Sequence, residues 1–474
     1  MTEKKVGYIF ETKLIEAIDE YVTIKKNLSP KYFYYKDIDF FSAFKRECYY
    51  GMMSEGYYLN QLNSTHSEVI ECRNSIQKDI LKLMYMDKKY FIRKNLKENL
   101  KYKLKSFPIL FPLYQKIKNK KYLNISNIKV VFIITQVKFI HYLEAIYERT
   151  ENSVFMIFGD IEKSISYCEK KRYKYIVYKP TFIKEKKLNL EILALVELYK
   201  SIEQYMTNHV FKTFVLPEGD APLLEIINLY SIENNKKTVC IQHGWNPLYH
   251  NGFRDMHYDK FLSWGKEFSE GLSQYNKAQN FIEVGSHILK SSDISIKSND
   301  TISFFLQAIV PLISEKDFND FLLLISEISY SFPNKNIIVR EHPSHPLSDK
   351  QIRFLLKNKN LKFMNLNKFS LSEVMQKSSI TVSIFSTTLI ESLYFDAVPF
   401  IINTTGMKHY EPDLQGLGVG IEVDNFEDAY KKLAYLINHS SSCNKIKDNI
   451  NKYKKSYFKA SGDEAINNIL KEIL

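Results

Sequence analysis

The chain has 474 residues, 45% hydrophobic and 25% charged, with a formal net charge of +12. This is an ordinary globular composition, and at roughly 100–200 residues per domain the length sets two or three domains. The five scattered cysteines, with no CxxC among them, exclude a disulfide framework and structural zinc. The positive balance admits nucleic acid, an anionic membrane surface or phosphorylated ligands as partners, and selects none of them.

Residues 1–125 are rich in Tyr, Lys and Leu and are expected to be mainly helical. The opening "MTEKKVGYIFETK" has no apolar run long enough for a signal peptide. Further on, "YFIRKNLKENLKYKLK" sets Ile92, Leu96, Leu100 and Leu104 on one stripe among lysines, which is an amphipathic helix. Such a helix either packs on the next domain or lies on an anionic membrane. "DID" at 37–39 is too short to argue a metal site. The run closest to a membrane span, "VVFIITQVKFIHYLEAIY", is broken by Gln136, Lys138, His141 and Glu144. A cytoplasmic protein is expected, able to sit peripherally at the inner face of the membrane.

From residue 126 short apolar runs alternate with amphipathic stretches. "KVVFIITQ", "SVFMIFGD", "YKYIVYKP", "KTFVLPEGD", "KTVCIQHG" and "DKFLSWG" read as six strands, with helices at "VKFIHYLEAIYERT", "NLEILALVELYKSIEQYM" and "APLLEIINLYSIENN". β-Branched runs between helices mean a parallel sheet covered on both faces. The pattern restarts near 291. Strands are expected at "SNDTISFFLQ", "NIIVREHP", "LKFMNLN", "ITVSIFST", "VPFIINT" and "GVGIEV", with helices between them and "FEDAYKKLAYLINH" closing the series. The expected organisation is therefore α/β, with two tandem Rossmann-like domains at 126–290 and 291–474.

In open parallel sheets, ligands bind beyond the carboxyl ends of the strands. Two such sheets facing each other make a cleft, and the polar clusters of this chain fall at those ends. "LPEGDAP" presents Glu218 and Asp220, either able to act as a general base or, for Asp220, to cap the next helix. "IQHGWNP" presents His243, as base, orienter, phosphate donor or structural histidine, and Gly244 permits close backbone approach. "HNGFRDMHYDKF" supplies Arg254 and His257 as an acceptor-side loop.

In the second series, "VREHPSHP" holds Arg340, His342 and Pro343. Pro343 and Pro346 forbid a regular helix, which weakens a metal reading of the two histidines. A proline turn and a grip on an anion both stand, since Arg340 can bind phosphate bidentately and His342 can donate to a phosphate oxygen or a leaving group. In "SIFSTTLIES", Ser386, Thr387 and Thr388 open a helix, where they either cap it or seat a phosphate. Glu391, one turn inside, can accept from a ribose hydroxyl. "GLGVG" at 416–420 leads into a strand instead of following one, so it is not a dinucleotide fingerprint. Without GxxxxGK[ST] or GxSxG, kinase and hydrolase readings have little support.

The set "QHG", "REHP" and "SIFSTTLIESLYFDAVPFI" resembles the two-domain GT-B glycosyltransferases, most of all bacterial enzymes of capsule, lipopolysaccharide and teichoic-acid synthesis. Polysialyltransferases and Kdo transferases show an acidic-Gly, a His-Pro and a Ser-Ser/Thr motif in this order, and teichoic-acid glycerophosphotransferases share the His-Gly and His-Pro features. The resemblance covers roughly 126–435. It implies metal-independent sugar transfer from a nucleotide donor, first a CMP-activated acidic sugar, to a glycan or lipid-linked acceptor. No separate cofactor and no nucleic acid are implied. Glu218 or Asp220 would be the base, His342 and Pro343 would hold the nucleotide phosphate, and Ser386 and Thr387 would bind it. The acidic motif here reads "EGD" where the family has two acids before the glycine. A CDP-glycerol-type phosphotransferase, a sugar-nucleotide 2-epimerase and a non-catalytic binding protein of the same fold are the alternatives.

Overall fold

The computed structural model describes residues 15–54 (17, 21, 24, 25, 28 and 29 apart), 127–178, 190–245 (208, 218 and 220 apart), 253–290 and 300–474 (309–312, 314, 344, 365–368, 385 and 405–411 apart). The lysine-rich amphipathic stripe at 92–104 lies outside these residues, and so do Glu218 and Asp220.

The first sheet has seven parallel strands in the order β5-β4-β3-β6-β7-β8-β9. They are β3 (Val130–Ile134), β4 (Ser153–Ile157), β5 (Tyr175–Val177), β6 (Thr213–Leu216), β7 (Lys237–Ile241), β8 (Lys260–Ser263) and β9 (Phe281–Glu283). Helices α2 (Val137–Tyr147), α3 (Ile161–Lys171), α4 (Leu190–Met206), α5 (Pro222–Glu233) and α6 (Lys266–Ser273) connect them. The second sheet has six parallel strands in the order β12-β11-β10-β13-β14-β15. These are β10 (Thr301–Phe305), β11 (Asn336–Arg340), β12 (Leu361–Phe363), β13 (Ile380–Ser383), β14 (Val398–Ile402) and β15 (Ile421–Val423). Its helices are α7 (Glu315–Ser331), α8 (Asp349–Leu355), α9 (Leu371–Lys377), α10 (Thr387–Tyr394) and α11 (Phe426–Asn438).

Both sheets therefore run third-second-first-fourth-fifth-sixth. The order reverses between β3 and β6 in one and between β10 and β13 in the other, and those are the switch points where parallel sheets open a crevice. The central strands are buried along their whole length, as both-face coverage requires: "VVFII" of β3, "TISFF" of β10 and "VPFII" of β14 have no exposed position.

Five elements are additions to the expected pattern. Edge strand β9 has only three half-exposed residues and so no apolar run. Helix α3, "IEKSISYCEKK", buries only Ser164 and Cys168. Helix α6 is eight residues long. Helix α12 (Asn444–Tyr457), "NKIKDNINKYKKSY", is mostly polar and buries only Ile450 and Tyr457. The last helix, α13 (Gly462–Ile473), has the strongest amphipathic pattern and returns to the first sheet. Its Ile469 and Ile473 join Val130, Phe132, Ile134, Leu143 and Val239 in one core. The tail of the second sequence repeat is thus spatially part of the first.

The crossing is tight. Ser286 N–H donates to the Ala460 carbonyl at 3.0 Å and Gly462 N–H to the Ser286 carbonyl at 3.2 Å. Gly285 sits at φ +93°, with the Ala460 carbonyl 2.2 Å from where a Cβ would stand, so only glycine fits.

The described part of the N-terminal region is not purely helical. A hairpin of β1 (Tyr34–Tyr35) and β2 (Ile38–Asp39) precedes helix α1 (Phe41–Ser54). Phe33, Phe40 and Phe44 enter the core beneath the first sheet with Tyr199 and Tyr230. Arg46 meets Glu225 of α5 there as a buried ion pair, and the same carboxylate accepts from Ser42 at 2.7 Å.

Candidate functional site

On the first wall, β7 ends at Ile241 and the chain turns through Gln242, His243 and Gly244. Gln242, 1% exposed, is a hub. Its Oε1 accepts from the Trp264 backbone N–H at 2.9 Å, and its Nε2 donates to the Gly244 carbonyl at 2.9 Å. Its own carbonyl accepts from Trp264 Nε1–H at 3.0 Å and from the Tyr142 hydroxyl. Burial raises the phenol of Tyr142 well above the ordinary tyrosine range. The His243 ring stands edge-on to Phe139 at 5.1 Å and to Tyr142 at 6.1 Å. The ring of His287, 4.5 Å from Tyr142, donates through Nε2–H to the Tyr142 carbonyl at 2.6 Å. Burial lowers its pKa to about 4, so this imidazole is neutral.

On the second wall, β11 delivers Arg340, which points along the sheet edge: Nη1 donates to the Phe369 carbonyl at 2.8 Å and the Ser370 carbonyl at 3.4 Å. The next residues close a proline turn, with His345 N–H on the His342 carbonyl at 3.0 Å and Glu341 Oε1 accepting from Leu347 N–H at 3.0 Å. His342 is half-buried. Burial first, then the positive charges of Lys138 and His345, hold its proton affinity below the usual histidine range. As neutral imidazole it keeps one N–H to donate. Pro343, at the tip of the turn, is exposed.

Helix α10 starts with Ser386 as its N-cap, whose Oγ accepts from Thr388 N–H at 3.3 Å and Thr388 Oγ1–H at 2.9 Å. Thr387 Oγ1 accepts from Trp245 N–H of the first wall at 3.1 Å. Gly244 packs on the same hydroxyl, 3.0 Å from where a Cβ would stand. Glu391 is 4% exposed, and burial alone raises its pKa to about 7.

The structure thus brings the His243–Trp245 segment against Ser386, Thr387 and Thr388 at one junction, with Glu391 buried one turn inside the same helix. Arg254 and His257 are placed elsewhere. Arg254 lies over the Tyr275 ring at 4.5 Å, and His257 Nε2 is 3.2 Å from Glu225 Oε1. His257 lines a separate pocket of about 390 Å³ with Asp37, Asp39, Ser42 and Glu233, beside α1 and α5. Pro217 and Gly219, either side of Glu218, are buried just past β6, where Gly219 accepts from the Tyr258 hydroxyl at 2.9 Å.

Sequence reasoning did not single out Gln242, Tyr142, His287, Trp264 or Lys138 as site residues. Lys138 and Gln242 carried the same signal as the chosen residues, since both follow a strand end. The other three become visible only when distant segments meet. Among the described residues no group of His, Cys, Asp and Glu is arranged to hold a metal ion, and no helix is long and apolar enough to cross a membrane.

No protein-family model matches the sequence, and no curated protein is similar to it in sequence. The fold is similar to that of UDP-GlcNAc 2-epimerase from Neisseria meningitidis bound to UDP-GlcNAc, at TM-score 0.50 and 14% identity over 73% of this chain and 98% of that one. It is also similar to the glycotransferase of kitacinnamycin, at TM-score 0.51 and 10% identity over 73% of this chain and 99% of that one. The architecture is GT-B: two parallel-sheet Rossmann-like units with their strand ends facing a common cleft.

Proposed function

We propose that this chain is a glycosyltransferase that moves a sugar from a nucleotide-activated donor to a hydroxyl of a cell-surface glycan or its lipid-linked precursor. The observation that supports this best is the junction of Trp245 N–H with Thr387 Oγ1. It joins a strand end of one sheet to the helix N-terminus at the switch point of the other, so a ligand there touches both units.

Displacing a nucleotide from a sugar needs a base on the acceptor side and hydrogen-bond donors on the phosphate side. In this reading Glu218 or Asp220 takes the acceptor's proton as its oxygen bonds to the anomeric carbon. The carbon–oxygen bond to phosphate breaks, and its electron pair leaves with the nucleotide. His342, Thr387 and the N-terminal N–H groups of α10 hold the phosphate oxygens. Glu391 accepts from the ribose. A CMP-activated acidic sugar is the first donor to test, the chemistry is expected to proceed in EDTA, and the reaction is placed at the inner membrane face.

A 2-epimerase acting on a sugar nucleotide is the second reading, supported by the likeness to the Neisseria meningitidis fold. Product analysis with and without a glycan acceptor distinguishes the two, since an epimerase turns over without one. In the transferase reading, Glu218→Ala or Asp220→Ala abolishes transfer while nucleotide binding persists. Full turnover in both variants removes the assigned base.

A further inference from the structure

We propose that Lys138 contacts the phosphate of the bound nucleotide, closing on it from the first wall opposite His342 and the start of α10. This rests on the nucleotide-binding reading above and adds a residue from the other side of the cleft.

Lys138 is in the first turn of α2, directly after β3. β3 flanks the switch point of the first sheet, and β13, ahead of Ser386, flanks that of the second. Both segments therefore follow strands that border a crevice. The Lys138 ammonium lies 4.7 Å from the centroid of Phe139, and that ring is edge-on to His243 at 5.1 Å. His243 leads through Gly244 and Trp245 to Thr387. The ammonium is thus linked to the junction of the two units through the Phe139 and His243 rings.

Lys138 is near enough to His342 for its charge to disfavour protonation of that imidazole. Among the described residues no carboxylate pairs with Lys138, whereas Lys45, Lys260 and Lys454 each have one. A phosphate placed between Lys138 and His342 reverses the sign, because each then faces an anion. Thr387 completes the arrangement. Its oxygen already accepts from Trp245 N–H, which leaves its proton to donate to an anion. The α10 N-terminus adds partial positive charge. In the metal-independent reading, an ammonium on the acceptor-side wall supplies the charge that a departing phosphate needs.

The test uses the full chain with CMP, CDP, UDP and GDP as probes. The chain has only two tryptophans: Trp245 lies in the His243 loop, and Trp264, after β8, is hydrogen-bonded to Gln242 beneath it. Their fluorescence is the direct readout, with thermal shift beside it. The tightest-binding nucleotide is then titrated against Lys138→Met, Lys138→Arg and the wild type, with its parent nucleoside as control. Lys138 is exposed, so both variants should melt with the wild type. Loss of the charge-assisted contact should weaken nucleotide binding at least about tenfold in Lys138→Met. Lys138→Arg should stay within a few fold, and nucleoside binding should not change. The affinity of Lys138→Met should also fall less steeply with salt. Wild-type affinity in Lys138→Met, or an equal loss for nucleoside and nucleotide, overturns the proposal. A wild type that binds none of the four removes the nucleotide reading itself, which is a different failure from an indifferent Lys138.

Discussion

The two walls of the cleft are built by different means. On the second wall the polar turns hold themselves: Ser386 caps Thr388 two residues on, His345 closes on His342 three residues back, and Glu341 accepts from Leu347 six residues away, while Arg340 reaches the Phe369 carbonyl 29 residues on. On the first wall nearly every bond is long-range. Gln242 meets Trp264 at a separation of 22 residues and Tyr142 at 100, and Tyr142 meets His287 at 145. A segment that satisfies its own backbone keeps its shape when a neighbour changes. A hub shared by three strand ends does not, because each lost partner leaves a buried polar group unpaired. The second wall is thus a set of local motifs, and the first is one cooperative network beneath His243.

Gln242→Leu should break the comparison hardest. It leaves the buried Trp264 N–H and Gly244 carbonyl without partners, at a cost of roughly 2–5 kcal/mol. Denaturant unfolding measures this, and a changed tryptophan emission should accompany it. A loss under about 1 kcal/mol would show that water or a neighbour replaces the amide, and the hub would be no more cooperative than a cap.

Glu391 tests whether the second wall also hides a long-range cost. Its folded pKa of about 7 lies above the ordinary carboxyl value of 4.5, so the folded state binds more protons across that interval. Stability should therefore fall as pH rises from about 4.5 to 7, by about 3 kcal/mol in all. Glu391→Gln should flatten that slope, as melting curves at pH 5 and pH 8 would reveal. If the ionised carboxylate accepts from ribose, nucleotide affinity should rise over the same interval, and only in the wild type. Equal slopes for both proteins would place Glu391 in contact with water.

His287 provides the opposite sign on the first wall. Its pKa is depressed to about 4, so the unfolded chain takes up the proton first as pH falls below about 6.5. Stability should decline between pH 6.5 and 4, again by about 3 kcal/mol. Because Glu391 acts in the opposite direction over the same interval, the test is made in Glu391→Gln: equal stability of that variant at pH 7 and pH 4.5 would contradict the burial of the His287 ring.

The smallest effect belongs to the self-contained motif. Ser386→Ala removes one N-cap and should cost about 1 kcal/mol, while Ser386→Gly costs only a few tenths. If Ser386 also touches phosphate, both variants should lose nucleotide affinity equally despite their different stabilities. Isothermal titration of the pair separates cap from contact.

Much of the cleft was legible because its determinants are local. Strand runs such as "VVFII" and "TISFF", the prolines of "REHPSHP" and the hydroxyls of "STT" carry their structural meaning within a few residues. The strand-end rule then placed His243, His342 and Thr387 on a cleft before any contact was known. Arg254 and His257, expected in an acceptor-side loop, precede β8, where Arg254 lies over the Tyr275 ring and His257 meets Glu225 of α5. The seventh strand, α3 and α12 bury too little to leave a periodic trace and α6 is only eight residues long, whereas the amphipathic period of α13 is legible but lies beyond the last expected helix.

By itself, then, the sequence determined the two parallel sheets and the polar clusters at their strand ends, because hydrophobic period and capping chemistry act between near neighbours. Only the tertiary structure decided that α13 returns to the first sheet, that Trp245 binds Thr387 across the cleft, and that Tyr142, Gln242, Trp264 and His287 form one buried hub. Those pairings join residues 22 to 145 positions apart. No local propensity encodes them; they form because burial in the folded chain leaves each polar group only those partners.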